Sequence, residues 1–258
     1  MTNTHTPFYL KSFGDKGLIL FIHGFMGSPR QADALAEVAN CHGYGVAALL
    51  LPGHGGTTRD FASGTFKHWQ EHVDSEIERY SRDHANIWLA GHSMGGLLAL
   101  NAVVKFRDNV RGVFLIGCPF KITMFSISAL KLRLKLLFYK KSNPIKAAYI
   151  NSCSIPLSPS LLWRTLKPAA ELRKLMAAVT EILPNVNVPV TAVYSKSDEV
   201  TAIKSLDLLK SGLRDGLCKP IILPDSLHAY YPEHEEIMIN EALMRLIEIQ
   251  SRACETGG

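Results

Sequence analysis

A serine between two glycines is the feature of this chain best suited to chemistry. The segment Gly91-His92-Ser93-Met94-Gly95 directly follows an apolar run at residues 86–90. A serine on a sharp strand-to-helix turn takes a strained backbone conformation, and glycines two residues before and after it remove collisions with neighbouring elements. A serine exposed in this way is suited to nucleophilic attack. We therefore predict that Ser93 is a nucleophile.

A nucleophilic serine needs two further side chains. A serine hydroxyl is a weak nucleophile, so a base must lie within hydrogen-bond reach of it and an acid must orient that base. His228 follows the predicted strand 220–223 and is the candidate base. Asp198 follows the preceding predicted strand and is the candidate acid, with Glu199 and Asp225 as competing carboxylates. The order Ser, Asp, His, each after a different strand, is expected for this turn motif.

Acyl chemistry also needs donors placed where negative charge develops on the substrate oxygen. The Met94 amide starts the helix after the nucleophile, where backbone donors are unpaired and the helix dipole favours an anion. The loop 23–29 follows the first core strand and supplies the Phe25 amide as the second donor. We expect Gly24 of this loop to contact substrate. The alternative is an ordinary glycine-rich turn without a catalytic part.

A second glycine-rich turn, at residues 52–57, holds His54. We favour a hydrogen bond that braces this loop, with substrate contact by His54 as the alternative. Gly53-x-Gly55 lacks the third glycine of a dinucleotide loop, and the sequence has no Gly-Lys-Ser/Thr phosphate loop. It also has no His/Glu pair with metal-ligand spacing on a predicted helix. We therefore expect neither a metal nor a cofactor.

The elements that must position these residues alternate between short apolar runs and amphipathic segments. This rhythm predicts an α/β fold with a mostly parallel sheet of six to eight strands flanked by helices. Several runs are apolar throughout, as expected when both faces of a sheet are covered. The predicted strands are 18–23, 46–51, 86–90, 110–116, 188–195 and 220–223, with a short leading strand within 8–13. The predicted helices are 30–41, 66–83, 94–106, 169–182, 202–211 and 233–252.

The rhythm breaks between Pro119 and Pro184, and we expect residues 119–184 to form a cap inserted into a single domain of residues 1–258. Leucines alternate with cations at 130–136, which suits a strand, but apolar residues also recur at helical spacing and β-branched residues are scarce, which favours a helix. Apolar cap residues would line an acyl pocket, and those predicted to bind substrate are Phe120, Met124 and Phe125.

The cap also carries the positive charge of the chain. No acidic residue occurs between Asp108 and Glu171, whereas ten basic residues do, and the rest of the chain has eighteen basic against twenty-three acidic residues. These charges either form a solvated face, which we favour, or contact an anionic membrane. A nucleic-acid partner is not expected, because the basic segment is rich in leucine and the remainder is net acidic.

Composition limits the class of protein. The chain has 258 residues with a hydrophobic content of 47%, which indicates a buried core and excludes general disorder. The beginning of the sequence lacks the pattern of a secretory signal, and no apolar stretch approaches the roughly 20 residues of a membrane-spanning helix. We expect a soluble cytoplasmic protein, as a monomer or dimer. Five scattered cysteines without Cys-x-x-Cys spacing predict neither a disulfide framework nor a zinc site.

These motifs resemble the α/β-hydrolase superfamily of serine hydrolases, and in particular the small bacterial carboxylesterases and monoacylglycerol lipases. The resemblance is carried by His23-Gly24-Phe25, Leu51-Pro52-Gly53-His54-Gly55, Trp69 and Gly91-His92-Ser93-Met94-Gly95-Gly96. It implies Ser93 as nucleophile, His228 as base, Asp198 as acid and the Phe25 and Met94 amides as oxyanion hole. Two loops depart from the family pattern: Ser197 stands before Asp198 where relatives carry Gly or Ala, and Leu227 before His228 where many have Gly. Neither departure removes a catalytic side chain.

The leading hypothesis is a serine esterase that cleaves small-molecule carboxylic esters with an apolar acyl group through an acyl-Ser93 intermediate. Thioester hydrolysis, acyl transfer or carbon–carbon bond cleavage on the same triad are the alternatives, because the pocket and not the triad selects the substrate. A non-catalytic binder that retains the fold is the third hypothesis. The presence of all three triad side chains argues against it.

Overall fold

A seven-stranded sheet forms the centre of the fold. The computed structural model of the chain describes residues 5–13, 16–123, 127–140, 142–156 and 161–255. The strands are β1 (Phe8–Leu10), β2 (Leu18–Ile22), β3 (Gly45–Ala48), β4 (Ile87–His92), β5 (Val110–Ile116), β6 (Val190–Ser195) and β7 (Cys218–Leu223). Their order in the sheet is β1-β3-β2-β4-β5-β6-β7. Strand β1 runs antiparallel to β3, and the other neighbours are parallel.

Helices cover both faces of the sheet. Along β2, Leu18, Leu20 and Ile22 face one apolar layer with α3, α4 and α8, while Ile19 and Phe21 face the other layer with α1 and α10. Successive side chains of a strand point to opposite faces, so a strand covered on both sides must be apolar throughout. The helices are α1 (Asp33–Cys41), α2 (Thr58–Ala62), α3 (Phe66–Tyr80), α4 (Met94–Lys105), α5 (Ile127–Phe138), α6 (Pro144–Ser152), α7 (Leu161–Arg164), α8 (Leu166–Ile182), α9 (Lys204–Gly212) and α10 (Glu233–Glu255).

The predicted α/β fold and its mostly parallel sheet are confirmed, with differences at the ends of elements. Strand β3 ends at Ala48 and not at residue 51, because the Leu51 amide donates to Nε2 of His23 at 3.0 Å and not to a neighbouring strand. The predicted helix 30–41 begins as a 3-10 turn, Pro29–Ala32, before α1. Helix α3 ends at Tyr80, three residues early, where the Ser81 hydroxyl donates to the Ile77 carbonyl.

The described residues between β5 and β6 include four helices, α5 to α8. The preference for a helix over a strand in the leucine-rich part is confirmed by α5. Helix α8 buries Leu172, Leu175 and Val179 in the apolar layer that α3 and α4 share. No helix of the described residues combines the length and apolar character that a membrane crossing requires.

Candidate active site

The turn between β4 and α4 holds Ser93 in a strained conformation. Its φ is 51° and its ψ is −120°, and a positive φ is a backbone conformation that non-glycine residues rarely adopt. A Cβ atom at Gly91 would lie 2.4 Å from the Gly96 nitrogen, and one at Gly95 would lie 2.0 Å from the Ile22 carbonyl oxygen. Both glycines are therefore required by contact with backbone. This is the geometry that the spacing of the motif predicts.

Asp198 and His228, which follow different strands, form a hydrogen-bonded pair. Nδ1 of His228 lies 2.9 Å from Oδ2 and 3.1 Å from Oδ1 of Asp198. The amides of Val200 and Thr201 each donate to Oδ1 at 2.8 Å, which fixes the carboxylate on its loop. Because the carboxylate accepts from Nδ1, the Nε2 atom of His228 is left to act on a substrate or on Ser93.

Side chains also hold the backbone of His228. Its amide donates to Oε2 of Glu199 at 3.0 Å, and its carbonyl accepts from Nε2 of His92 at 2.8 Å and from the Tyr231 hydroxyl at 3.1 Å. Since a carbonyl only accepts, His92 must carry its proton on Nε2. The rings of His92 and His228 lie 4.8 Å apart. His92 immediately precedes Ser93, so this contact places His228 beside the Ser93 turn.

The electrostatics of the pair suit a base with its orienting acid. Burial lowers the pKa of His228, but the Asp198 carboxylate, its hydrogen bond and the Glu199 carboxylate raise it, and the pKa lies above its ordinary value. Burial raises the pKa of Asp198, but the charge and hydrogen bond of His228 and the two loop amides bring it below its ordinary value. The pair thus favours an imidazolium beside an ionised carboxylate.

The loop after β2 lies against the Ser93 turn. A Cβ atom at Gly24 would lie 3.0 Å from both Ser93 Cβ and Nδ1 of His92. Oε1 of Gln31 accepts from the Gly24 amide at 2.9 Å, and the Gly24 carbonyl accepts from the Gly27 amide at 2.9 Å. This bracing leaves the next amide in the loop, that of Phe25, without a protein acceptor in the described part of the chain. The amide of Met94, the first residue of α4, also has no protein acceptor among the described residues.

The other predicted substrate-binding residues occupy different environments. His54 is buried, donates from Nδ1 to the Pro52 carbonyl at 3.3 Å, and packs its ring on those of His23 and Phe61, which is the contact pattern of a bracing residue. Phe120 is half-buried and packs against the apolar layer of α4. Met124 and Phe125 lie outside the described residues.

The loop that carries His228 has a clamp that the sequence analysis missed. Glu235 is fully buried at the start of α10; its Oε1 accepts from the Asp225 amide, and its Oε2 accepts from both the amide and the hydroxyl of Ser226. The Ser195 hydroxyl donates to the Ser226 carbonyl at 2.6 Å and joins this loop to the end of β6. An acidic residue in the first turn of a helix is the local signal that could have identified the clamp.

The clamp also explains why three residues whose side chains could bind a metal ion lie close together. Asp225, His234 and Glu235 place one possible ligand atom each within 4.8 Å of one another. Both carboxylate oxygens of Glu235 already accept hydrogen bonds from the loop, and His234 and Asp225 are exposed. The geometry is accounted for by support of the loop without an ion.

A cavity of about 720 Å³ opens beside β1, between β3 and α3. Its lining includes Tyr9, His72, Arg79, Tyr80 and His84. None of the predicted site residues contributes to it. The cavity is therefore separate from the Ser93 turn.

Comparison with known proteins identifies relatives over most of the chain. Residues 14–154 match the family Hydrolase_4, described as serine aminopeptidase S33. The chain is 26% identical over 239 residues to a thermostable monoacylglycerol lipase from Bacillus sp. (strain H-257), covering 91% of each protein. It is 35% identical over 102 residues to the phospholipase YtpA of Bacillus subtilis (strain 168), a match that covers 38% of this chain and 39% of that protein.

Solved structures share the fold. One is from a study of the metagenome-derived lipolytic enzymes LipS and LipT, with a TM-score of 0.75 and 24% identity over 95% of this chain and 98% of that one. Another is the monoacylglycerol lipase of Paleococcus ferrophilus, with a TM-score of 0.71 and 19% identity over 94% of this chain and 98% of that one. Since the family match covers more than half of the sequence, the chain belongs to the Hydrolase_4 family and has the α/β-hydrolase fold.

Proposed function

We propose that this protein is a serine hydrolase that cleaves carboxylic esters of lipids, with monoacylglycerols as the substrate class. The observation that carries the proposal is the Asp198–His228 pair, held through His92 beside the strained turn of Ser93. Membership in Hydrolase_4 and similarity to a monoacylglycerol lipase over 91% of both chains support the choice of bond and substrate. The geometry of these residues is what supports the triad chemistry.

The reaction proceeds in two halves. In the first, Ser93 Oγ attacks the ester carbonyl carbon while Nε2 of His228 takes the hydroxyl proton. The Phe25 and Met94 amides donate to the oxyanion of the tetrahedral intermediate. The intermediate collapses to acyl-Ser93, and the imidazolium gives its proton to the departing alcohol.

In the second half, water attacks the acyl carbon and His228 takes a proton from that water. Collapse of the second intermediate releases the carboxylic acid, and Ser93 regains its proton from His228. Throughout, Asp198 keeps its negative charge and stabilises the imidazolium across the 2.9 Å contact.

The segment at residues 119–184, whose described part contains α5 to α8, forms the cap over the site in this proposal. Helix α6 supports this placement, because the amide of Ser154, just after it, donates to the Met26 carbonyl of the loop beside Ser93 at 3.0 Å. Apolar residues of the cap would then receive the acyl chain, with Phe120 at its base.

The sequence alone favours a solvated face for the cations of the cap, but its exposed aromatic residues favour contact with an anionic lipid layer as the source of substrate. Two of its aromatic residues are largely exposed, Phe138 at 86% and Trp163 at 73%. The cap also carries most of the basic residues that lie between Asp108 and Glu171, a stretch that contains no acidic residue. Cations attract anionic headgroups while aromatic side chains insert at the interface.

We expect a larger fraction of the protein to bind vesicles of phosphatidylserine and phosphatidylcholine at low salt than vesicles of phosphatidylcholine alone. Equal binding to both would contradict this contact.

The central experiment compares wild type and S93A on monoacylglycerols and on p-nitrophenyl esters of two to sixteen carbons. We expect hydrolysis by wild type and a loss in kcat of at least about 10³-fold in S93A. S211A is the matched control, because the Ser211 hydroxyl is exposed on α9 and donates only to the Leu208 carbonyl. A fluorophosphonate should label Ser93 in wild type, as read by peptide mass spectrometry. Equal activity in S93A would refute the nucleophile assignment, and wild type inactive on every ester would refute the proposed bond.

A further inference from the structure

Glu199, the residue after the candidate acid, is buried with both carboxylate oxygens occupied. Only 6% of its surface is exposed. Its Oε2 accepts from the His228 amide at 3.0 Å, and its Oε1 accepts from the hydroxyl of Tyr149. A buried carboxylate is costly unless hydrogen bonds satisfy it. Here the two donors come from the loop of the base and from helix α6.

Helix α6 has a second attachment at its end. The Ser154 amide donates to the Met26 carbonyl at 3.0 Å, and the Ser154 hydroxyl donates to the Gly27 carbonyl. The Ser152 carbonyl accepts from Nε2 of Gln31 at 3.3 Å, and that Gln31 side chain also holds the Gly24 amide. The same short helix therefore contacts the loop of the proposed oxyanion hole and, through Tyr149, the loop of the base.

We infer that Glu199 and Tyr149 are positioning residues for the base, and that their hydrogen bond links the placement of the cap helix α6 to the placement of His228. The inference rests on the proposed function for its catalytic meaning. When α6 is seated, the Tyr149 hydroxyl holds Glu199, Glu199 holds the His228 amide, and His92 holds the carbonyl of the same residue. Loss of the Tyr149 contact releases one side of that support. A displacement of about 1 Å in a catalytic group can lower a rate by about 10²-fold.

Glu199 also acts on His228 by charge. The titratable groups packed around His228 and Glu199 are Asp198, His92, Tyr149 and Tyr231. The negative charge near His228 comes from Asp198, which contacts the ring, and from Glu199, which contacts the backbone amide. A carboxylate in this position stabilises the imidazolium that forms when the base takes a proton. A purely structural clamp would not have this effect.

The test uses E199Q and Y149F, with Y139F as the matched control. E199Q keeps an acceptor for the His228 amide and removes the charge. We expect the acid limb of the kcat/KM profile to move to lower pH by about one pH unit. Y149F keeps the charge and removes one hydroxyl, and we expect kcat to fall about tenfold with KM for a short ester nearly unchanged. Tyr139 also lies in the segment 119–184, directly after α5, and its carbonyl accepts from Nζ of Lys146. Y139F should retain wild-type kcat.

A second measurement separates this inference from the proposed function. Titration of the His228 ring by NMR in protein labelled with ¹⁵N-histidine, assigned with H228N, needs no substrate. A lower pKa of His228 in E199Q than in wild type supports the inference even if no ester is cleaved. An unchanged His228 pKa in E199Q overturns the charge effect. If an ester is cleaved, equal kcat in Y149F and Y139F overturns the link to α6. If no ester is cleaved, an unchanged His228 ring spectrum in Y149F overturns it.

Discussion

A substitution at Gly95 tests most directly whether the turn between β4 and α4 positions Ser93. In G95A, the new Cβ atom would lie 2.0 Å from the Ile22 carbonyl oxygen and 2.8 Å from the His23 carbonyl oxygen. Both atoms are backbone of β2 and of the loop that follows it, so neither can rotate away. Ordinary contact between carbon and oxygen requires well over 3 Å, and the start of α4 must therefore move by roughly 1 Å.

The magnitude follows from that displacement. Ser93 and the Met94 amide precede residue 95 directly, so both would move from the substrate carbonyl. A misplacement of about 1 Å costs about 10²-fold in rate. Overpacking against backbone costs about 3 kcal/mol, while alanine gains about 1 kcal/mol over glycine within a helix. For a domain of this size a net loss of about 2 kcal/mol lowers Tm by about 5 °C.

The assay compares kcat/KM and Tm of G95A and G96A on one short ester. A Cβ atom at Gly96 would lie 3.1 Å from side-chain atoms of Cys118 and Leu115, which can adjust. We expect G96A to stay within about threefold of wild type, because only side chains must give way. If G95A folds and reacts at the wild-type rate with both the ester and a fluorophosphonate, Gly95 is not needed to position Ser93.

Three further perturbations test the supports of the site. D198N should lower kcat by about 10³- to 10⁴-fold while KM changes little; a loss below tenfold would mean that another carboxylate, such as Glu199, orients the ring of His228. E235Q places an amide NH₂ group against the donors of Asp225 or Ser226 and should lower the free energy of unfolding in urea by about 2 kcal/mol, whereas E241Q, at an exposed ion pair with Arg245, should change it by less than about 0.5 kcal/mol. Burial chiefly lowers the pKa of His23 well below its ordinary value, that of His54 to about 4 and that of His92 to about 3, so each stays neutral in the folded protein while the unfolded chain takes up protons below pH 6.5. Stability should therefore fall with pH from 6.5 towards 4, by up to about 1.4 kcal/mol per pH unit for each histidine, and urea midpoints that do not change between pH 7.5 and 5 would contradict this.

The sequence predicts the sheet and the placement of the triad candidates because both depend on local patterns. Each candidate follows an apolar run, and parallel strands deliver their carboxyl ends to the same edge of a sheet. The structure accordingly brings Asp198 and His228 into contact and sets Ser93 on the turn beyond β4. Helix α2 also had a local signal, the Thr57–Asp60 capping box, which the sequence analysis did not use.

The sequence favours Asp198 as the acid but does not indicate what the neighbouring Glu199 contacts. Asp198 and Glu199 follow the same strand, and a shift of one position reverses the direction of a side chain on an extended loop. In the structure both contact His228: Asp198 meets the ring and Glu199 meets the backbone amide. The two carboxylates therefore contact different parts of the same residue.

Contacts between distant segments account for the rest. Tyr149 and Glu199 are fifty positions apart, and neither stands in a motif that indicates the other. Ser154 reaches Gly27 across 127 positions and joins the cap to the loop before Pro29. Such contacts depend on where α6 packs, which follows from the shape of the whole domain and not from local pattern. The proposed catalytic groups can thus be found at strand ends, whereas the contacts that we propose position His228 come from the inserted helices and depend on packing.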